Sequence, residues 1–271
     1  MRGSSRGAAR ASQEAFEAAL AASPDGTTLA EDLFAVTGVV EGTASLRRAL
    51  ADPSRENDAK AGLARSLFGG KVGDAALDLV AVVVGQRWAA ERDLGDTLES
   101  LAVQALLANA EGTGRIDRVE DELFRFERIV AGDPALRDTL SSRNTDTDGK
   151  AGLVRSLLDG KTAPETVRLA EQAVRVPRGR RLDRVMEAYL ALASRRRDEL
   201  TALVTVAAPL DEQQQARLRS ALEAHYGKAV TLQVVQDPTV MGGIRVQVAD
   251  EVVDGTVLRR LDEARRHIAG G

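Results

Sequence analysis

The chain of 271 residues has no cysteine. Disulfide staples and thiolate metal ligands are therefore excluded, and the composition suits a reducing compartment. Aromatic residues make up only 3%, and histidine occurs twice, at His225 and His267. Neither has a second ligand or a carboxylate at metal spacing, so they supply no metal centre and no acid–base pair. No long apolar run is present either. The longest, Leu77–Gly85, contains Asp78 and falls far short of the ~18 residues that a membrane span needs. Any work at a membrane is therefore expected to go through a partner. The net charge of −4 leaves no overall basic field for nucleic acid or anionic lipid.

Phosphate-binding loops are missing as well. Gly69-Gly70 and Gly242-Gly243 are isolated pairs, read as a helix stop and a strand turn. The acids Glu31-Asp32 and Glu120-Asp121-Glu122 fall in or near early helical turns, where they complement the dipole or face solvent. Arg2, Arg6 and Arg10 carry the charge of a transit peptide, but no apolar segment follows, and the expectation is a frayed start leading into a helix. No catalytic residue and no cofactor is expected.

What the chain does have is aliphatic content and an internal echo. Hydrophobic residues make up 44%, enough for real cores, and the length suits two or three domains. Residues 60–71, Lys-Ala-Gly-Leu-Ala-Arg-Ser-Leu-Phe-Gly-Gly-Lys, match residues 150–161, Lys-Ala-Gly-Leu-Val-Arg-Ser-Leu-Leu-Asp-Gly-Lys, at nine of twelve positions. The same offset of 90 pairs Leu46-Arg47 and Leu50 with Leu136-Arg137 and Leu140, and Leu33-Phe34 with Leu123-Phe124. Separate patches sharing one offset indicate a duplication.

Each copy reads as helices. Ile116, Val119, Leu123, Phe126 and Val130 lie on one helical face. Gly112-Thr113-Gly114 separates this helix from an earlier one around Leu101–Asn109. Thr162-Ala163-Pro164-Glu165 has the pattern of a capping box, which starts another helix, and Asp74 sits near the equivalent start in the first copy.

After about residue 198 the pattern changes. Leu203–Ala208 reads as a strand ended by Pro209, and Asp211 caps a helix with Leu218 and Leu222 inward, stopping at Gly227. Val230–Val234 and Ile244–Val248 alternate with period two. They place Thr231, Gln233, Arg245 and Gln247 on one face and aliphatics on the other. A last helix starts near Thr256. The expected fold is mainly α: two tandem helical bundles of about five or six helices each, residues 1–102 and 103–198, then a two-layer α/β domain, 199–271.

Arg175, Arg178, Arg180, Arg181 and Arg184, followed by Arg195-Arg196-Arg197, form a basic stretch with little aromatic interleaving. It reads as a solvated helical face or as a contact for an acidic partner through Arg178, Arg180 and Arg181. The competing functional readings are a tandem helical scaffold for nucleic acid or transcription factors, and an enzyme working in a cleft between domains, for which no acid–base pair is found.

The run Asp237-Pro238-Thr239-Val240-Met241-Gly242-Gly243-Ile244-Arg245-Val246, followed by Asp254-Gly255-Thr256, resembles the C-terminal signature of the delta subunits of F-type ATP synthases, the oligomycin-sensitivity-conferring protein family. Thr256 stands where that family usually has Ser. Val204–Leu210 is similar to the family's strand-to-helix entry, and residues from about 103 to 268 cover an ordinary member, so the first copy is an addition found in long bacterial forms. The resemblance implies a peripheral-stalk subunit with no catalytic role and no nucleic acid, sitting at the cytoplasmic face of the bacterial cell membrane. It implies that a helical domain receives alpha subunits of the catalytic head and that the C-terminal domain holds the b-subunit stalk. Phe16, Leu20, Leu106 and Leu107, on the first helices of the two copies, are candidate groove walls for a partner helix, with ordinary core packing as the competing reading.

Overall fold

The computed structural model describes residues 3–23, 25–142, 146–237, 243–248 and 251–254. The chain divides into two compact units, Met1–Arg196 and Arg197–Gly271.

The first unit is all helix among its described residues. α1 (Gly3–Ala22), α2 (Gly26–Gly42), α3 (Ala44–Ala51), α4 (Asn57–Phe68) and α5 (Asp74–Gly85) form the first copy. α6 (Glu91–Gly112) follows, then α7 (Ile116–Gly132), α8 (Pro134–Ser141), α9 (Thr147–Leu158), α10 (Pro164–Arg175) and α11 (Leu182–Asp198). Both ends of α2, α3, α4 and α5 fall 90 residues before those of α7, α8, α9 and α10. Helix lengths and turn lengths have been kept across these four helices.

Local chemistry sets these ends. Asp25 accepts from the Thr27 N–H at 2.8 Å, and Asp133 from the Ala135 and Leu136 N–H groups at 2.9 and 3.0 Å. Such caps contribute about 1 kcal/mol each. Gly114, with φ of 67°, follows α6 in a left-handed conformation that suits glycine. α7 buries Val119, Leu123, Phe126 and Val130, with Ile116 packed beside them, as its periodicity predicts.

α6 has two roles. It is the sixth helix of the first copy and, shifted by 90, the counterpart of α1 that opens the second. Leu94, Leu98, Leu101, Val103, Leu106 and Leu107 are all buried on it, so it is covered around most of its circumference, leaving a partly exposed stripe through Asp96, Ser100, Gln104 and Ala108. One apolar core runs from Ala8 to Ala193. The expected boundary between residues 102 and 103 therefore falls inside a helix, and two six-helix bundles share one member.

The second unit carries β1 (Glu199–Val206), α12 (Glu212–Tyr226), β2 (Ala229–Gln236), β3 (Ile244–Val248) and β4 (Glu251–Asp254). The sheet order is β2-β1-β3-β4, with β1 parallel to β2, and β1–β3 and β3–β4 antiparallel. The register aligns Ala202 with Leu232 and Val248, and Val204 with Val234 and Val246. That face is the core, closed by Leu218, Leu222 and Tyr226 of α12. Arg245 and Gln247 on the other face are exposed, as expected, but Val235 shares that parity and is exposed as well. α12 starts with a capping box: the Gln214 N–H donates to Asp211 at 2.7 Å and the Asp211 N–H to Gln214 at 3.0 Å. β4 was not foreseen from sequence, and the helix expected from Thr256 lies outside the described residues.

Candidate functional site

Phe16, Leu106 and Leu107 are completely or almost completely buried, and Leu20 is half-buried against the same core. They are packing residues, and an open groove must be walled by others. Amphipathic spacing shows that a face is covered without showing by what, and here the cover is the chain's own neighbouring helices.

The arginines after α10 also turn inward. Arg178, with a side chain only 4% exposed, contacts Glu41 at 3.1 Å, Asp96 at 2.8 Å and Glu99 at 2.9 Å. Arg180 reaches Glu99 at 2.5 Å, and the Tyr189 hydroxyl donates to Glu99 at 2.7 Å. Arg47 bridges Glu41 and Glu91 at 3.6 and 3.3 Å. Four acids thus meet three arginines where α2, α3, α6 and the segment after α10 converge. Burial disfavours the Arg178 charge, but Asp96, Glu41 and Glu99 outweigh it and hold its pKa above the ordinary value. Burial first, then the Glu99 charge and hydrogen bond, push the Tyr189 phenol well above 10. Arg178 is the one non-glycine residue with positive φ, 53°, among the described residues, a strain of about 1–2 kcal/mol that the ion pairs offset. Gly95 faces this cluster, where a Cβ would collide with the Glu41 and Arg178 side chains.

The acid expected from a partner of Arg178 and Arg180 is thus supplied by their own chain. Arg181, 80% exposed, pairs with Asp183 at 2.8 Å. Arg175, Arg184 and Arg196 pair with Asp148, Glu187 and Glu111. Most of the basic stretch is neutralised locally, which weakens its reading as a nucleic-acid stripe.

Two further features repeat at the offset of 90, and sequence reading missed both. Asp32 of α2 accepts from the Gly73 N–H at 2.9 Å, and Glu122 of α7 accepts from the Ala163 N–H at 2.8 Å. Each acid caps the fifth helix of its copy from the second. The Thr162 hydroxyl bonds Leu158 instead, so the helix start foreseen there is correct while its cap comes from Glu122. Burial would raise the Glu122 pKa, but hydrogen bonds from Thr166, Ala163 and Arg118 outweigh it and hold the group below its ordinary value. Lys60 and Lys150, from the repeated Lys-Ala-Gly-Leu, are buried and donate to the carbonyls of Gln86 and Ser142.

The clearest difference between the copies is on α2 and α7. α2 lies along α6, close enough that a Cβ on Gly26 would approach the Ala105 carbonyl to 2.8 Å. Arg168 of α10 pairs with Glu31 at 2.5 and 2.9 Å and lies 4.5 Å over the Phe34 ring. Phe34 is 4% exposed, whereas its counterpart Phe124 on α7 is 52% exposed. Beside α7 opens a pocket of about 420 Å³, lined by Glu127, Val130 and Ala131, by Arg137, Asp138 and Ser141 of α8, and by Arg181, Leu182, Asp183, Met186 and Glu187. Ile129 of α7 and Val82 of α5 are also exposed.

Of the C-terminal signature, the Asp237 N–H donates to the Val206 carbonyl at 2.9 Å, tying the end of β2 to β1. Gly243 has φ of 85°, and the backbone of Asp254 lies opposite Arg245 in the β3–β4 register. Pro238, Gly242, Gly255 and Thr256 lie outside the described residues. His225 sits edge-on to Tyr226 at 4.8 Å. Among the described residues no group of three His, Asp or Glu side chains could hold a metal, and no helix is long and apolar enough to cross a membrane.

Known proteins give these surfaces a context. Residues 103–268 match the family described as ATP synthase delta (OSCP) subunit. The chain is 45% identical over 261 residues to the ATP synthase subunit delta of Kineococcus radiotolerans, covering 96% of this chain and 95% of that one. It is 45% identical to the subunit delta of Streptomyces griseus and 46% to that of Beutenbergia cavernae, over the full length of both chains in each pair. The added first copy is thus present in these relatives too, and the chain belongs to the ATP synthase delta (OSCP) subunit family.

Proposed function

We propose that this chain is a peripheral-stalk subunit of an F-type ATP synthase, holding the catalytic head still against the rotor so that proton transport is coupled to ATP synthesis. The observation that carries this is the end-to-end match, at about 45% identity, to proteins named ATP synthase subunit delta. The architecture suits the task. A stator element has to pass torque without deforming, and the shared α6, buried around most of its circumference with ion pairs along it, makes the helical unit one cooperative block.

Its part in the reaction is mechanical rather than chemical. The helical unit receives amino-terminal helices of alpha subunits, and the α/β unit holds the end of the b stalk. The chain itself illustrates how this scaffold accepts a helix: α2 lies on α6 through close backbone approach at Gly26 and is clamped at Phe34 by Arg168 of α10, a helix-on-helix mode of recognition. The protein sits peripherally at the cytoplasmic face of the cell membrane, held there by its partners.

Purified chain titrated separately with alpha amino-terminal peptides and with a b carboxyl-terminal fragment tests the assignment. Binding of the first to residues 1–196 and of the second to residues 197–271 is expected. Binding of neither, or the reverse allocation, contradicts it.

A further inference from the structure

We propose that the outer face of α7, from Phe124 to the pocket at Ala131, is a docking surface for a basic amphipathic helix of another subunit, anchored by an arginine on Phe124. The inference rests on the stalk reading and names a surface of that stalk subunit.

The duplication supplies the argument. α2 and α7 are the same helix in successive copies, and what covers α2 is visible. Arg168, from the second copy, lies on Phe34 and pairs with Glu31 one turn before it. Asp121 and Phe124 repeat that acid and that ring at the same spacing on α7. There the ring is half-exposed, and among the described residues the ion pair of Asp121 is with Arg125 of its own helix at 2.7 Å. A guanidinium that stacks on an aromatic face while pairing with a neighbouring carboxylate is a recurrent recognition element.

The far end of the stripe has changed character. On α2, Glu41 holds Arg47 and Arg178. On α7 its counterpart is Ala131, and the counterparts of Glu91 and Asp96 are Arg181 and Met186. In the first copy ion pairs fill the α2 side of this place and leave a pocket of about 480 Å³ displaced toward Asp52, Pro53 and Trp88, whereas the second opens directly beside α7 on an apolar floor of Val130, Ala131, Leu182 and Met186. Phe124, Glu127 and Ala131 lie on one helical face, so ring and pocket are roughly 10 Å apart along α7 at 1.5 Å per residue. A helix alongside would carry its arginine and a Leu-sized anchor about seven residues apart. The pocket lining has four acids, Glu127, Asp138, Asp183 and Glu187, against Arg137 and Arg181, with Arg184 beside it on Glu187, so one acid is in excess and a positive charge flanking that anchor is complementary.

The absence of cysteine makes the test clean. The full chain carrying Arg128→Cys, labelled with a benzophenone maleimide, is assembled into the synthase, irradiated, and its adducts mapped by mass spectrometry. The expected adduct lies on another subunit, in a helical segment with an arginine or lysine. Adding Phe124→Ala should lower its yield roughly tenfold, and Phe124→Trp should keep it. Adducts confined to the chain itself, adducts on a segment without a basic residue, or a yield indifferent to Phe124→Ala would each overturn the proposal and leave the stalk reading standing. Failure of the labelled chain to co-purify with the synthase would overturn both.

Discussion

The Tyr189 hydroxyl donates to Oε1 of Glu99 at 2.7 Å, and the two residues hold the same place in successive copies of the repeat. A position that carries a buried carboxylate in the first copy carries, in the second, the phenol that solvates it. Duplication was followed by specialisation at the seam. Arg178 shows the same history: its counterpart in the first copy is Trp88, buried, with its indole N–H on the Val83 carbonyl at 2.9 Å.

Breaking the seam should therefore be expensive. Arg178→Met leaves Glu41, Asp96 and Glu99 facing one another with a guanidinium removed, and a loss of about 3–5 kcal/mol is expected. Urea denaturation followed by helical circular dichroism measures it. A loss under about 1 kcal/mol would mean that the cluster contributes little.

Tyr189 should resist titration. Its folded pKa is raised above the unfolded value near 10. The stabilisation linked to it is therefore fully present below pH 10 and is lost as pH rises through the folded value. In a Tyr226→Phe background, where Tyr189 is the only tyrosine, tyrosinate absorbance should stay low at pH 10.5 and rise only with unfolding. Reversible ionisation near pH 10 in the folded protein would refute the burial.

Glu122→Ala should cost about 1–2 kcal/mol at pH 7 through loss of the cap on α10. The Glu122 pKa is depressed, so this contribution is present above the unfolded value near 4.5 and disappears as pH falls through the folded one. Denaturation of wild type and variant followed from pH 7 down into acid separates the cap, whose difference fades as Glu122 protonates, from simple loss of packing, which would persist. Asp32→Ala, at the equivalent cap on α5, should lose about 1 kcal/mol at pH 7.

Gly26→Ala reverses the usual sign. In an exposed helix interior the change stabilises by about 0.5–1 kcal/mol. Here the new Cβ meets the Ala105 carbonyl at 2.8 Å, backbone that yields little, so a loss of about 1–3 kcal/mol is expected. The thermal midpoint of the variant decides the sign.

The twin phenylalanines should behave oppositely. Phe34→Ala, in the covered copy, should cost about 3 kcal/mol or more, and Phe124→Ala within about 0.5 kcal/mol of nothing. Equal costs in parallel melts would remove the distinction between a covered and an open face.

Much of this was legible in the sequence because the duplication is crisp. The Lys-Ala-Gly-Leu match and Leu33-Phe34 with Leu123-Phe124 set the offset of 90 to which the helix bounds conform, and the alternation in Val230–Val234 and Ile244–Val248 gave two strands of the sheet. The sharing of α6 was not legible. A helix buried around most of its circumference carries no single apolar face, so nothing marked Leu94 to Ala110 as common to two bundles. The caps on α5 and α10 come from acids 41 residues earlier in sequence, beyond any local pattern. Arg178 and Arg180 looked like a solvated basic run because their acids sit on α2 and α6, far away in the chain. Phe16 and Leu106 are ambiguous in sequence because an apolar helix face looks the same whether the chain or a partner covers it.

The most direct test of the account is proton pumping driven by ATP in inverted membrane vesicles from cells lacking this chain, before and after the purified protein is added back. The account predicts that pumping is lost without the chain and returns with it while the catalytic head continues to hydrolyse ATP. Undiminished pumping in its absence would contradict it.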